Sequence, residues 1–154
     1  MRDVLAELGA RQLFWKIAVK PGGPTAFAML DATPIFSLPG NPVSALITFE
    51  EFVRPALLKM QGHSGVIKPL FKAVLREELK KKPGKVQIVR VCLEKEEGKY
   101  YATSAGNQQT AILKTMVDAN ALALLPAEST RFAAGDEVDV HFYGNHIELI
   151  EEPI

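Results

Sequence analysis

The spacing of apolar positions changes several times along this chain, and each change predicts a different element. In residues 2–8, Val4, Leu5 and Leu8 fall on one side of a helical wheel and Gly9 supplies a stop, which reads as the tail of an amphipathic helix. Residues 13–19 then alternate as one strand. Leu13, Trp15, Ile17 and Val19 share one parity, and Phe14, Lys16, Ala18 and Lys20 share the other. Pro21-Gly22-Gly23-Pro24 marks a sharp turn, residues 25–30 a short strand ended by Asp31-Ala32, and residues 34–38 a further strand expected to be central. From Val43 the spacing becomes helical, through Leu46, Ile47, Phe49, Phe52, Val53, Ala56, Leu57 and Met60 to a stop at Gly62. Pro55 falls inside that run and predicts a kink near Phe52.

Behind residue 69 the period returns to two. Val89, Val91 and Leu93 form an inward set on a strand over residues 86–94, with Val86, Ile88, Arg90, Cys92 and Glu94 on the other face. A polar turn at 95–98 and a return over 100–103 make a hairpin; Lys80-Lys81-Lys82 reads as a solvated strand end or turn. Ala121 to Leu125, residues 137–143 and, after Gly144-Asn145, residues 146–150 complete a series of short strands with one helical stretch near 110–117. Helix, strands and helix followed by many short strands predict an α/β layer over residues 1–64 and a small barrel or sandwich over 69–154.

A length of 154 residues holds one ordinary domain or two small ones, and 47% hydrophobic with 23% charged residues belongs to a globular chain. Eighteen basic and eighteen acidic residues cancel, so no global field draws nucleic acid. Cys92 is the single cysteine, which excludes an internal disulfide and fits a reducing cytoplasm. Thr48, Glu50 and Glu51 interrupt the apolar run of the helix, so no membrane span is expected.

The densest candidate chemistry lies at Leu38-Pro39-Gly40-Asn41-Pro42-Val43-Ser44, a strand end, tight turn and helix start. Pro42 suits a first helical position, Asn41 suits a cap and Gly40 permits close backbone approach. The N–H groups of Val43 and Ser44, with the Ser44 hydroxyl, then face an anion, or the segment is only a well-capped turn. Lys16, flanked by Trp15 and Ile17, must snorkel, pair with an acid or face a ligand. Lys20 ends its strand beside glycines, where it serves either a ligand or a solvated edge. In one strand the two lysine Cα atoms stand roughly 13 Å apart. His63, His141 and His146 have no metal spacing, and residues 106–110 read as a plain loop or as a polar binding loop that opens the short helix.

Phe14-Trp15-Lys16-Ile17-Ala18-Val19-Lys20-Pro21-Gly22, then Pro24, then the Leu38–Ser44 segment with Ala45, resemble the C-terminal half of the molybdopterin molybdotransferase family, to which the enzymatic domain of gephyrin belongs. The resemblance implies a fold in which the later part of a three-layer, molybdopterin-binding α/β domain precedes a small β domain. It implies transfer of molybdenum from molybdate into adenylyl-molybdopterin with release of AMP, assisted by magnesium. It also implies catalytic contacts from Lys16 and Lys20, and a substrate pocket shaped by Gly22, Pro24, Pro39, Gly40, Asn41, Pro42 and Ser44. The family's glycine- and serine-rich phosphate loop, its following aspartate and its elongated dimer-forming domains have no counterpart here. The expectation is therefore a C-terminal portion, inactive alone, whose open sheet favours homo-oligomers. A non-catalytic pterin- or nucleotide-binding module, and a purely structural β module, are the alternatives.

Overall fold

The computed structural model describes residues 2–144, so the expected strand over 146–150 and His146 lie outside the described residues. Helix α1 (Arg2–Glu7) ends as its pattern predicts: Gly9 takes φ +81°, and the N–H groups of Gly9 and Ala10 donate to the carbonyls of Ala6 and Leu5. Strands β1 (Arg11–Trp15), β3 (Ala26–Leu30) and β4 (Thr33–Ser37) form an antiparallel sheet in the order β1-β3-β4. The strand expected to be central is thus an edge of this sheet, because the tight turn at Asp31-Ala32 folds β4 back onto β3.

The expected strand over 13–19 is also divided. Lys16 adopts φ +63°, and its N–H donates to Thr25 O at 3.0 Å while that of Ile17 donates to Gly23 O at 2.9 Å. The chain leaves the first sheet at that point and re-enters regular pairing as β2 (Val19–Lys20), parallel to β7.

One face of the three-stranded sheet carries Phe14, Phe27 and Phe36, of which Phe27 and Phe36 stack with centroids 4.5 Å apart. Phe14 meets Phe52 of the helical layer at 6.5 Å. That layer is α2 (Pro42–Thr48), a π-helical turn (Phe49–Val53) and α3 (Arg54–Met60). The predicted irregularity ahead of Pro55 is the π turn, in which the N–H of Arg54 donates to Phe49 O. A proline has no N–H for the residue four before it, and the wider turn absorbs the mismatch. Helix α1 overhangs the opposite face, giving helix, sheet and helix layers.

The remainder is a closed barrel. Strands β5 (Phe71–Leu75), β7 (Val86–Glu96), β8 (Lys99–Ser104), β9 (Ala121–Leu125) and β11 (Glu137–Phe142) form a ring β7-β8-β5-β11-β9, closed by β9 on β7. Only β5 and β8 run parallel within the ring. Val89, Val91, Leu93, Leu75, Leu125, Val138 and Val140 fill the interior, and the alanines at 73, 102, 121 and 123 suit so narrow a barrel. The two-residue strands β6 (Leu79–Lys80) and β10 (Arg131–Phe132) pair antiparallel, and Phe132 packs into the barrel core.

The helical layer rests on the outside of this barrel. Val43 and Ile47 of α2 pack with Ile88 and Leu122, and with Met116 of α4 (Lys114–Asp118). No helix among the described residues is long and apolar enough to cross a membrane.

Candidate functional site

The turn after β2 is fixed by close packing. Gly22 is buried at φ +108°, and a Cβ there would lie 2.3 Å from Cγ2 of Thr48 and 3.5 Å from Cγ2 of Val19. No side chain fits, so the glycine is a packing requirement of α2 against the turn. The buried hydroxyls beside it are satisfied: Thr25 Oγ1 donates to Gly22 O at 2.7 Å, and Thr48 Oγ1 donates to Ser44 O at 2.8 Å. The turn carrying Lys20 therefore meets the far end of α2. Asn41 begins that helix seven residues earlier, about 10 Å away by helical rise.

The helix start has the expected local chemistry. Asn41 is extended at φ −74° and ψ 127°, Pro42 opens the helix, and Asn41 Oδ1 accepts from the Ser44 N–H at 3.5 Å. The Ser44 N–H is thus directed at its own cap. Ser44 and Val43 are buried, Pro39 is half-buried, and Gly40 and Pro42 are exposed. A Cβ on Gly40 would meet nothing within 4 Å, and its φ is not in the left-handed region, so the chain's own packing makes no demand for glycine there.

Lys16 and Lys20 are both exposed. The Lys16 ammonium lies 4.1 Å from the centroid of the Trp15 ring, a cation–π contact at the edge of the first sheet. Trp15 and Pro24 line a cavity of about 510 Å³ on the open face of that sheet, together with Gln12, Ala26 and Ser37. Lys20 pairs with Gln87 of β7, and in a parallel pair the two side chains share a face.

Arg90 is a residue that sequence reasoning missed. It is fully buried, three residues beyond Gln87 on β7 and on the opposite face, beside Ile88 under α2. Its Nη2 donates only to main-chain carbonyls, those of Asn107 at 3.3 Å and Gln109 at 3.5 Å, and its Nε is buried without a partner. No carboxylate pairs with it among the described residues. Burial lowers its pKa from the usual arginine value.

The loop over 106–110 is built around this residue. Gln108 Oε1 accepts from the Arg90 N–H and Gln108 Nε2 donates to Arg90 O, both at 3.0 Å, so the amide acts as a short strand partner. It fills the edge of β7 left open between β2, which pairs at Val86 and Gln87, and β8, which pairs from Val91 onward. The sequence signal for Arg90 was its company: Val86, Ile88 and Cys92 share its parity, and a face so apolar is covered, not solvated.

A guanidinium held in low dielectric by neutral carbonyls, with one orphaned N–H, favours an anionic partner; Arg90 is fully buried and is not among the residues that line the cavity at Trp15. Lys20 supplies a mobile cation on the other face, at a Cα separation from Arg90 of roughly 10 Å along the strand edge. No group of three or more His, Cys, Asp or Glu able to hold a metal occurs among the described residues, so none of them is assigned to the magnesium that the resemblance implies. Cys92 donates from Sγ to Asp118 O at 3.3 Å, and burial, with Asp118 and Glu94 next, pushes its thiol pKa up, opposite to what a nucleophile needs.

Residues 1–59 match the family described as "Probable molybdopterin binding domain", and residues 72–143 match "MoeA C-terminal region (domain IV)". The molybdopterin molybdenumtransferase of Haemophilus influenzae is 38% identical over 136 residues, covering 87% of this chain and 33% of that protein. Molybdopterin molybdenumtransferase 2 of Mycobacterium tuberculosis is 37% identical over 127 residues, covering 82% of this chain and 31% of that protein. Among solved structures, a molybdenum cofactor biosynthesis protein from Pyrococcus furiosus superposes with a TM-score of 0.70 at 26% identity, covering 87% of this chain and 46% of that one. The molybdopterin biosynthesis moeA protein of Pyrococcus horikoshii gives 0.68 at 27% identity, covering 86% and 32%. The chain thus spans about a third of the length of the curated relatives it matches.

Proposed function

Because this chain belongs to the molybdopterin molybdenumtransferase family, we propose that it forms part of an enzyme transferring molybdenum from molybdate into adenylyl-molybdopterin, with release of AMP. The observation that carries the reading is the buried Arg90, which has no counter-charge among the described residues. Its fork lends itself to an oxyanion such as molybdate, with the 106–110 loop holding it in place through Gln108. Lys20, one strand away, offsets charge on the phosphoryl portion of the pterin substrate, and Gly40, where an added Cβ would meet nothing within 4 Å, leaves an open rim where a large ring system can approach.

In this arrangement the chain's own groups bind and orient. They reduce repulsion between two anionic reactants before they meet, which lowers the barrier by electrostatic preorganisation. The 154 residues span only a fraction of the relatives, so turnover is expected only with the elements that the remaining length supplies.

The test is calorimetric titration of the full chain with molybdate. Arg90→Met should weaken binding at least about tenfold, as expected when a desolvated charge-assisted contact is lost, while the circular dichroism spectrum stays unchanged. Undiminished affinity in a folded Arg90→Met variant sinks the reading.

A further inference from the structure

Arg90 is fully buried, so its guanidinium meets an anion only if something covering it moves. The element in contact with its charged end is the loop between β8 and α4. Nη2 donates to Asn107 O at 3.3 Å and to Gln109 O at 3.5 Å. Both bonds are longer than the usual N–H···O range, and both acceptors are neutral. A charge-assisted bond to an oxyanion is shorter and about twice as strong. With its Nε lacking any partner, the guanidinium is under-satisfied by its present cover.

That loop is fastened at few points. Between Ala102 and Thr115 no residue is buried, and Gly106, Asn107, Gln109, Ala111 and Leu113 are exposed. Its main chain reaches β7 where the Ala105 N–H donates to Arg90 O at 2.9 Å. Beyond Ala105, the hydrogen bonds between loop and β7 among the described residues are those of the guanidinium itself and two from Gln108. The Gln108 amide accepts from the Arg90 N–H and donates to Arg90 O, each at 3.0 Å. Its Nε2 also has Ser104 Oγ and Gly106 O at 3.0 Å, so the amide keeps acceptors on its own side when it leaves the strand. Water can then solvate the edge of β7 that it vacates. Release of the loop therefore costs little in unmade hydrogen bonds.

We propose that Gln108 is a positioning residue that works as a releasable latch. Its amide docks the loop on the edge of β7 with Arg90 covered. When the amide lets go, an oxyanion reaches the guanidinium and replaces the carbonyls of Asn107 and Gln109. The proposal rests on the reading of Arg90 given above and deepens it, since access to the oxyanion end becomes the controlled step. A closed loop lowers apparent affinity by the fraction of molecules that are open, so loosening the latch strengthens binding. A Gln108 that only orients Arg90 for its ligand has the opposite effect when it is removed.

The experiment compares the unaltered full chain with Gln108→Ala by two readouts. Phenylglyoxal modification, followed residue by residue by mass spectrometry, reports how often the Arg90 guanidinium is uncovered, with the exposed Arg131 as internal reference. Gln108→Ala should speed modification of Arg90 at least about fivefold, as expected for a local opening made easier, and leave Arg131 unchanged. Gly22→Ala, which strains the packing against Thr48, is the control for general loosening. Equal acceleration in that control, or none in Gln108→Ala, overturns the proposal. Calorimetric titration with molybdate should give a Kd about three- to tenfold lower in Gln108→Ala, in proportion to the larger open fraction. Weaker molybdate binding in a folded Gln108→Ala also overturns the latch. A chain that binds no molybdate in either form defeats the function proposed above, while the modification rates still decide whether Gln108 holds the loop over Arg90.

Discussion

Gly22 and Gly40 stand in motifs of similar appearance, yet their surroundings assign them opposite roles. At Gly22 a methyl group would sit 2.3 Å from Thr48 Cγ2, and the backbone is already at φ +108°. Gly22→Ala should therefore destabilise the chain by about 2–4 kcal/mol, the combined cost of overpacking and of a left-handed residue with a Cβ. At Gly40 nothing lies within 4 Å of the added atom. Gly40→Ala should change stability by less than about 0.5 kcal/mol, as for an unconstrained surface position. Urea denaturation of both variants checks the contrast, and a large loss in Gly40→Ala would mean that the turn is more tightly held than its geometry indicates. Ligand affinity reads the reverse order if the rim at Gly40 meets a substrate.

At the scale of elements, the π turn explains how the helical layer is fastened to the barrel. It directs two successive carboxylates towards β11 and the segment beside it. Glu51 Oε1 lies 3.0 Å from His141 Nε2, and Glu50 pairs with Lys68, whose ammonium also donates to Phe142 O at 2.8 Å. Arg54 approaches the same Glu50 oxygen at 3.7 Å. Glu50→Ala leaves Lys68 partly buried with a carbonyl as its remaining partner, so a loss of about 1–3 kcal/mol is expected. Thermal unfolding monitored by circular dichroism measures it; an unchanged midpoint would show that the tether is solvated. None of this was legible beforehand, because residues 50 and 51 meet residues 68 and 141 only after the barrel has closed. Elements with a strict local period were legible: the β7–β8 hairpin, β9, β11, and the helix with its disturbance before Pro55. Strand β5 was not, since Lys72 and Arg76 mask the inward set of Ala73 and Leu75. The break at Lys16 was hidden for a different reason, since no glycine or proline announces a left-handed residue there. Of the site, the lysines and the helix start were visible as residue types, but their separation by about 10 Å of helix follows from the Gly22–Thr48 contact.

For the whole molecule, the distribution of buried apolar residues predicts which part opens first. The barrel interior is lined from every strand of the ring, with Val91, Ala102, Ala121, Ala123, Leu125 and Val140 fully buried. In the three-stranded sheet only Ala28 falls in the buried class, Leu13 and Trp15 are 45% and 46% exposed, and one face opens onto a cavity of about 510 Å³. Fluctuations that break β1 from β3 expose the half-buried Phe14 and Phe27, whereas opening the ring exposes its entire buried core. Amide hydrogen exchange should therefore be slowest at Val89, Val91, Ala123 and Val140, and faster in β1 and β4 by roughly two to three powers of ten, the separation expected between sub-global and global opening. The α2 amides should follow the barrel and not the sheet, because Val43 and Ile47 are packed on Ile88 and Leu122. Exchange in α2 as fast as in β1 would show that the helical layer moves with the sheet. The contacts of Gly22 and Glu50 would then be too weak to hold Lys20 in register with Gln87, and the phosphoryl end of the site would exist only transiently.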